Sequence, residues 1–145
     1  MSNVYVVYWS GTGNTQEMAM AIADGAKENG AEVTVWNVDE ADIEELKKAK
    51  ALALGCPSMG AEQLEEASME PFMCDLDSQI NGKTIALFGS YGWGDGQWMK
   101  DWEDRIASDG ATVLNGEGII ANNEPSQEII DECLSLIHIS EPTRL

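Results

Sequence analysis

The chain has 145 residues, 43% of them hydrophobic, and its 26 acidic residues against 8 basic ones give a formal net charge of −18. This length fits a single domain over residues 1–145 with one substantial core, and the hydrophobic fraction excludes an intrinsically disordered chain. The strong negative charge argues against nucleic acid or an anionic membrane surface as a partner. It favours either docking to a positively charged protein surface or simply high solubility.

Targeting and redox signals predict a cytoplasmic protein. No stretch reaches the roughly 18 apolar residues of a membrane span, and residues 1–9 lack the basic region and cleavage site of a signal peptide. The three cysteines, Cys56, Cys74 and Cys133, are odd in number and form no CxxC motif, which favours reduced thiols. The single histidine, His138, has no ligand-like spacing to any of them, so we do not expect a metal site.

Four apolar runs predict β-strands. They are β-branched or continuously apolar, glycine or turn residues follow them, and they cover residues 4–9, 31–38, 49–55 and 83–89. We expect a weaker fifth strand in ATVLNGEGII, split around Asn115–Gly116. Because the runs are continuous rather than alternating, the strands should be buried on both faces and form a parallel sheet.

Helical patterns lie between these strands. Apolar residues recur four positions apart from Asn14 to Asn29, and Gly30 follows as a natural stop. Acidic residues first and lysines last favour a second helix over 39–48. Further helices are predicted near 63–73, over 97–108 and just after Pro125.

Strand and helix alternate along the chain, so we predict an α/β doubly wound domain with helices on both faces of the sheet. In such sheets, ligands bind beyond the carboxyl ends of the strands, where the winding direction reverses. The residues that follow the first, third and fourth predicted strands are therefore the candidates for a binding site.

The loop after the first strand, SGTGNT (10–15), leads straight into a helix. Its glycines allow tight turns and close approach to a ligand, and the unpaired N–H groups of a helix start favour a phosphate. Ser10, Thr12, Asn14 and Thr15 add neutral donors, but the loop lacks the lysine that a Walker A loop uses for a nucleoside triphosphate. It suits one terminal phosphate, and an ordinary turn with helix caps is the alternative.

The other two loops are apolar and aromatic. After the third strand, Met59–Gly60 places a polarizable side chain beside a flexible backbone; a surface turn with Met59 in the core is the alternative. After the fourth strand, a glycine-rich stretch carries Tyr91 and Trp93, which cannot both be deeply buried and can stack on a flat ring. The other tryptophans are expected in the core: Trp9, Trp36, Trp98 and Trp102.

Together, the three loops offer a phosphate site, an apolar hinge and an aromatic surface at one edge of the predicted sheet. A planar cofactor with one phosphate would contact all three, and flavin mononucleotide (FMN) meets that description. A dinucleotide would require a second phosphate-binding feature, which we do not find in the sequence.

In these motifs the sequence resembles the flavodoxins, in particular the short-chain flavodoxins of anaerobic bacteria. The resemblance runs from about residue 3 to about residue 130, and its specific parts are YWSGTGNT, GCPSMG with the EE that follows, and FGSYGWGDGQWM. It implies a five-stranded parallel sheet in the order 2-1-3-4-5, with FMN bound where the winding reverses. It also implies a soluble, low-potential one-electron carrier whose FMN is bound non-covalently and shuttles between semiquinone and hydroquinone.

The resemblance also implies the roles of single residues. Met59 and Trp93 would cover the two faces of the flavin ring, and Glu62 would bind its N3 edge. The peptide at Met59–Gly60 would flip on reduction, so that the Gly60 carbonyl accepts a hydrogen bond from N5. The residues predicted to bind the cofactor are Ser10, Gly11, Thr12, Gly13, Asn14, Thr15, Pro57, Ser58, Met59, Gly60, Glu62, Ser90, Tyr91, Gly92, Trp93 and Gly94.

Two features depart from the family pattern. Ala61 stands where close relatives often carry an acidic residue, which leaves FMN binding intact and bears on the stability of the semiquinone. The end of the chain, about residues 133–145, is apolar and then carries Pro142, where a family member should finish with an amphipathic helix rich in alanine and lysine. We interpret this end as a foreign or read-through sequence and assign His138 no role.

These residues favour an electron carrier without a substrate of its own. The main alternative is an FMN-dependent quinone or NAD(P)H oxidoreductase of the same fold, which usually needs additional loops and a second subunit. A phospho-acceptor signalling domain is disfavoured, because residues 55–57 lack the aspartate that it requires after the third strand.

Acidic residues flank the predicted cofactor edge: Glu62, Glu65, Glu66, Asp95 and Asp101. They form either a solvated face or a surface that steers basic redox-partner proteins toward the cofactor. On the second interpretation, the partners are basic reductases or oxidoreductases that dock electrostatically on a monomer.

Overall fold

A computed structural model describes residues 3–11, 13–28, 30–49, 51–59, 63–92 and 94–134. The predictions for Ala61, for His138 and for the end of the chain beyond residue 134 lie outside the described residues.

A parallel sheet forms the centre of the fold. Its strands are β1 (Asn3–Tyr8), β2 (Glu32–Asn37), β3 (Ala51–Gly55), β4 (Thr84–Tyr91), β5 (Thr112–Val113) and β6 (Ile119–Asn122). They follow the order β2-β1-β3-β4-β5, and β6 also pairs with β4. The predicted order and the parallel pairing are therefore confirmed.

Two short segments share the fifth position of the sheet, as predicted. β5 pairs with the start of β4 and β6 pairs with its end. Between them, Asn115 and Gly116 have φ angles of 63° and 82°, which interrupt the extended geometry of a strand. The chain therefore leaves the sheet after Val113 and returns at Ile119, close to the carboxyl end of β4.

Helices cover both faces of the sheet. They are α1 (Asn14–Glu28), α2 (Ile43–Lys48), α3 (Met69–Leu76), α4 (Gln97–Ser108) and α5 (Gln127–Leu134). α1 and α5 pack on the face that carries Val6 and Ala53, whereas α2, α3 and α4 pack on the face that carries Leu52 and Leu54. All residues of β3 are buried, which explains why this strand is apolar throughout. Within the described ranges, no helix is both long enough and apolar enough to cross a bilayer.

The helix boundaries follow the capping residues. α4 begins and ends as predicted, but the helix predicted over 39–48 is divided into a 3₁₀ turn, Val38–Glu40, and α2. The division occurs because Asp42 accepts a hydrogen bond of 2.9 Å from the Glu44 N–H and so caps a new helix.

The helix predicted near 63–73 is displaced toward the carboxyl terminus. α3 begins only at Met69, because a buried carboxylate, that of Glu65, accepts the backbone N–H groups at its start. Leu64 is nevertheless buried, so the apolar pattern predicted its burial correctly and its place in a helix wrongly.

The tryptophans divide between the core and its margin. Trp98 and Trp102 are each 1% exposed, which confirms their predicted place in the core. Trp9 and Trp36 pack against the same core but are only partly buried, so the prediction holds for them only in part.

Candidate functional site

The carboxyl ends of β1, β3 and β4 meet at one edge of the sheet. The last residues of β1 and β3, Tyr8 and Gly55, pair in register, so the loops that follow these strands lie side by side. We name these loops the first loop (9–13), the second loop (56–68) and the third loop (92–96).

A cleft with a volume of about 270 Å³ lies between the three loops. Eight of the predicted site residues line it: Gly11, Asn14, Pro57, Ser58, Met59, Ser90, Tyr91 and Gly92. Four others lie near it in the chain but do not line it: Ser10, Gly13, Thr15 and Gly94. The remaining four lie outside the described residues, and their contacts stay predictions: Thr12, Gly60, Glu62 and Trp93.

Two residues of the wall, Trp9 and Asn123, were missed. Trp9 directly follows β1, and its N–H donates to the Gly55 carbonyl at 3.0 Å. Asn123 directly follows β6, has a φ of 58° and donates its N–H to the Tyr91 carbonyl at 2.7 Å. The available signal was position alone, since both residues come immediately after a strand that ends at this edge.

Ser10 shapes the first loop. Its Oγ accepts hydrogen bonds from the N–H groups of Gly13 (3.1 Å) and Gln16 (3.3 Å). Gly13 has a φ of 99°, which a residue with a side chain rarely adopts. The N–H groups of the first turn of α1, beginning at Asn14, lack partners within the helix and lie at the positive end of its dipole. Because Asn14 is on the wall, this part of the cleft suits an anion.

Thr15 and Ser90 connect the start of α1 to β4. They are 1% and 5% exposed, their hydroxyl oxygens lie 3.0 Å apart, and the Ser90 N–H donates to Thr15 Oγ1 at 3.3 Å. The Ser90 carbonyl also accepts the N–H of Ser58 at 2.9 Å. One residue of β4 therefore links the first and second loops, while a ligand contact of the Thr15 hydroxyl stays a prediction.

The second loop folds back on itself at Met59 and Gln63. The Met59 N–H donates to the Gln63 carbonyl at 2.8 Å, and the Gln63 N–H donates to the Met59 carbonyl at 2.9 Å. The Gly60 carbonyl that the predicted flip would present to N5 belongs to the next peptide and lies outside the described residues, so the flip stays a prediction. At the start of the loop, burial raises the pKa of Cys56 to about 12, despite a hydrogen bond from the Glu65 N–H, and keeps it a thiol.

A buried tryptophan supports Tyr91 beside the third loop. The ring centroids of Tyr91 and Trp98 are 5.6 Å apart with the planes tilted by 47°. Trp98 in turn donates its Nε1–H to the Cys56 carbonyl at 3.1 Å. Tyr91 is partly buried and lines the cleft. Trp98 therefore contacts both the Tyr91 ring and the first residue of the second loop.

The acidic residues near the cleft do not form one surface group. Glu66, Asp95 and Asp101 are exposed, but Glu65 is only 8% exposed, so its predicted place in the surface group is wrong. Its carboxylate accepts the N–H groups of Ala67 (2.9 Å), Ser68 (2.7 Å) and Met69 (2.9 Å), so it points toward the start of α3 and away from solvent.

The cleft combines two kinds of wall. Neutral hydrogen-bond donors surround the start of α1, while the thioether of Met59 and the ring of Tyr91 belong to the apolar part. Among the described residues of the wall there is no lysine or arginine. Such a cleft suits a ligand with an anionic tail and a flat apolar ring, held by backbone N–H groups and hydroxyls instead of by cations.

Comparison with known proteins gives a consistent result. The family model described as Flavodoxin matches residues 6–136. The chain is 49% identical to the flavodoxin of Clostridium beijerinckii over 122 residues, which cover 84% of this chain and 88% of that protein. It is 45% identical to the flavodoxin of Megasphaera elsdenii over 111 residues, 77% of this chain and 81% of that one. The solution structure of the two-electron reduced Megasphaera elsdenii flavodoxin superposes with a TM-score of 0.82 at 39% identity, covering 92% and 98% of the two chains.

Proposed function

The chain belongs to the flavodoxin family, and on this premise we propose that the cleft between the three loops is its FMN site. Flavodoxins are small FMN-binding electron carriers, so the protein transfers electrons and is not an enzyme with a substrate of its own. The observation that supports the site best is the cleft itself, whose wall includes the start of a helix, a methionine and a tyrosine.

The donors of the first loop fit the phosphate of FMN. That group needs several hydrogen-bond donors, and backbone N–H groups and hydroxyls supply them without a cation. Among the described residues, no atom lies within 4 Å of a Cβ added at Gly13, so a ligand can approach the backbone there. We propose that the phosphate contacts come from Ser10, Gly11, Thr12, Gly13, Asn14 and Thr15.

The second and third loops fit the flavin ring. A thioether and aromatic side chains pack well on a flat conjugated ring, and Met59 and Trp93 would cover its two faces. We propose that the other ring contacts come from Pro57, Ser58, Gly60, Glu62, Ser90, Tyr91, Gly92 and Gly94. We add Trp9 and Asn123 to this set, because both lie on the wall of the same cleft.

When bound, FMN would accept and release electrons one at a time. The protein makes the second electron harder to add, because it carries a net charge of −18 and the described part of the cleft wall offers no cation to balance further negative charge. We therefore propose that the carrier works at low potential.

Reductive titration of the FMN-loaded protein tests this proposal. We expect two separate one-electron steps, the second at a lower potential than the second step of free FMN in the same buffer. The reason is the uncompensated negative charge of the site. The oxidoreductase alternative instead predicts steady-state oxidation of NAD(P)H by the protein alone, which we do not expect.

The exposed carboxylates beside the cleft suggest how partners dock. Glu66, Asp95 and Asp101 are exposed on the second loop, the third loop and α4. We propose that they attract basic redox proteins to the cofactor edge of a monomer. We also propose a reducing, cytoplasmic environment, because Cys74 is a free and exposed thiol.

Electron transfer to a small basic haem protein, such as cytochrome c, tests the docking surface. We expect the second-order rate constant to fall steeply as salt concentration rises, because salt screens the attraction. Asp101→Asn should lower the rate at low salt more than Asp24→Asn, which removes the same charge from an exposed position on α1. Equal effects of the two variants, or a rate that salt does not change, would exclude this surface.

A further inference from the structure

Glu65 is a buried residue of the second loop, and its side chain is a carboxylate. Burial by itself would raise its pKa, but hydrogen bonds from the N–H groups of Met69, Ser68 and Ala67 outweigh burial and hold the pKa below the usual value of a glutamate. The side chain is therefore ionised at neutral pH. It also replaces the cap of α3, since Ser68 occupies the cap position without a side-chain hydrogen bond to the helix.

The backbone of the same residue closes the second loop. The Glu65 N–H donates to Cys56 Sγ at 3.4 Å, and Cys56 is the first residue after β3. The Cys56 N–H donates to the Phe88 carbonyl of β4 at 3.1 Å. Closer to the tip, Met59 and Gln63 exchange their two hydrogen bonds. These hydrogen bonds tie Glu65 to Cys56 at the base of the second loop and Met59 to Gln63 nearer its tip.

The chain runs directly from Cys56, at the base of the second loop, into residues that line the cleft. Pro57, Ser58 and Met59 line the cleft, and they follow Cys56 up to the Met59–Gln63 pairing, which includes Met59. Any loosening at Glu65 therefore reaches the cleft wall within a few residues. A carboxylate that only capped α3 would be expected to lie at the surface. The Glu65 carboxylate is buried instead, and the backbone of the same residue closes the second loop.

We propose that Glu65 is a positioning residue for the flavin ring. By fixing the base of the second loop, it holds Met59 and its neighbours in the arrangement that binds the ring. This inference rests on the proposed FMN site. It assigns Glu65 no contact with the cofactor, and its action passes through the backbone of the second loop. A loop that is ordered before binding loses less entropy when the ligand binds.

A pair of variants separates positioning from charge. Glu65→Gln and Glu66→Gln each remove one negative charge at adjacent positions, but only Glu65 accepts backbone N–H groups at the start of α3. Glu66 is exposed and bonds the side chain of Gln63. Glutamine lacks the negative charge and the second acceptor oxygen, which accepts the Ala67 N–H, so the second loop should become less ordered while the first loop is unchanged. We expect Glu65→Gln to weaken FMN and riboflavin binding alike, each by about tenfold. Glu66→Gln should stay within about twofold of the wild type.

Hydrogen exchange of the apoprotein provides a readout without cofactor. The backbone N–H groups of Met59 and Gln63 should exchange faster in Glu65→Gln than in the wild type and in Glu66→Gln. If Glu65→Gln folds poorly, Glu65→Asp is the second variant, because it keeps the charge and shortens the side chain. It should show the same weaker flavin binding and faster exchange, each to a smaller extent. A variant that is only less stable to unfolding, with unchanged affinities and unchanged exchange at these two positions, would overturn the inference. Wild-type protein that fails to bind FMN would instead reject the proposed function.

Discussion

Riboflavin is expected to bind the apoprotein about a thousandfold more weakly than FMN, because it lacks the phosphate that the first loop would hold through several charge-assisted hydrogen bonds. The donors are the N–H groups at the start of α1 and the hydroxyls of the first loop, and Ser10 fixes their arrangement. Titrations followed by flavin fluorescence measure both dissociation constants. Equal affinity for the two flavins would show that the phosphate is not held.

Salt provides the control for this comparison. With neutral donors and a net charge of −18, screening should leave FMN affinity unchanged or improve it slightly, since salt reduces repulsion and breaks no ion pair. Affinity that falls steeply with salt would reveal a cation at the phosphate, contrary to our account.

Gly89→Ala is expected to lower the free energy of unfolding by about 3 kcal/mol, through overpacking and the loss of a buried hydrogen bond. An added Cβ at this position would lie 2.2 Å from the Cys56 carbonyl oxygen and 3.1 Å from the Trp98 ring. That carbonyl accepts the Trp98 Nε1–H, so the methyl group would push β4 away from the second loop and weaken the contact. Urea denaturation followed by circular dichroism measures the change.

Gly92→Ala is the matched control for this substitution. Among the described residues, its Cβ would meet the Asn123 side chain alone, at 3.4 Å, which is ordinary contact. We expect Gly92→Ala to change the free energy of unfolding by less than about 1 kcal/mol. If the two variants were equally stable, the close approach of β4 and the second loop would not constrain position 89.

The sheet was predictable because its strands are buried on both faces. A run such as that of β3 is apolar at every position, and glycine ends it, so periodicity and composition agree. The split of the fifth strand was also visible, since Asn115–Gly116 is a pair that tolerates positive φ. In both cases a local rule decides the structure without information from distant residues.

The start of α3 was not predictable from the same signals. The apolar pattern from Leu64 onward has helical spacing, but the chain does not become helical until Met69, because Glu65 turns inward to cap the helix. Glutamate next to glutamate is usually a surface pattern. Nothing in the local pattern shows that one of the two, Glu65, is buried in the folded structure.

The site was predictable to the extent that its residues belong to recognisable loops. Gly11, Met59 and Tyr91 follow strands that end at one edge, and the sequence shows this directly. Trp9 was assigned to the core by default, because its sequence context offers no special feature and large aromatic side chains are mostly buried. Asn123 required knowledge that β6 pairs with β4, and a short strand after a split carries little signal of its own.

Reductive titration of the FMN-loaded protein tests the account most directly, because it depends on both the cleft and its electrostatics. Free FMN in the same buffer is the reference. We predict that the bound flavin takes up its two electrons at well separated potentials, the second below that of the reference. Simultaneous uptake of both electrons, or a second potential equal to that of free FMN, would contradict the claim that this cleft makes the protein a low-potential one-electron carrier.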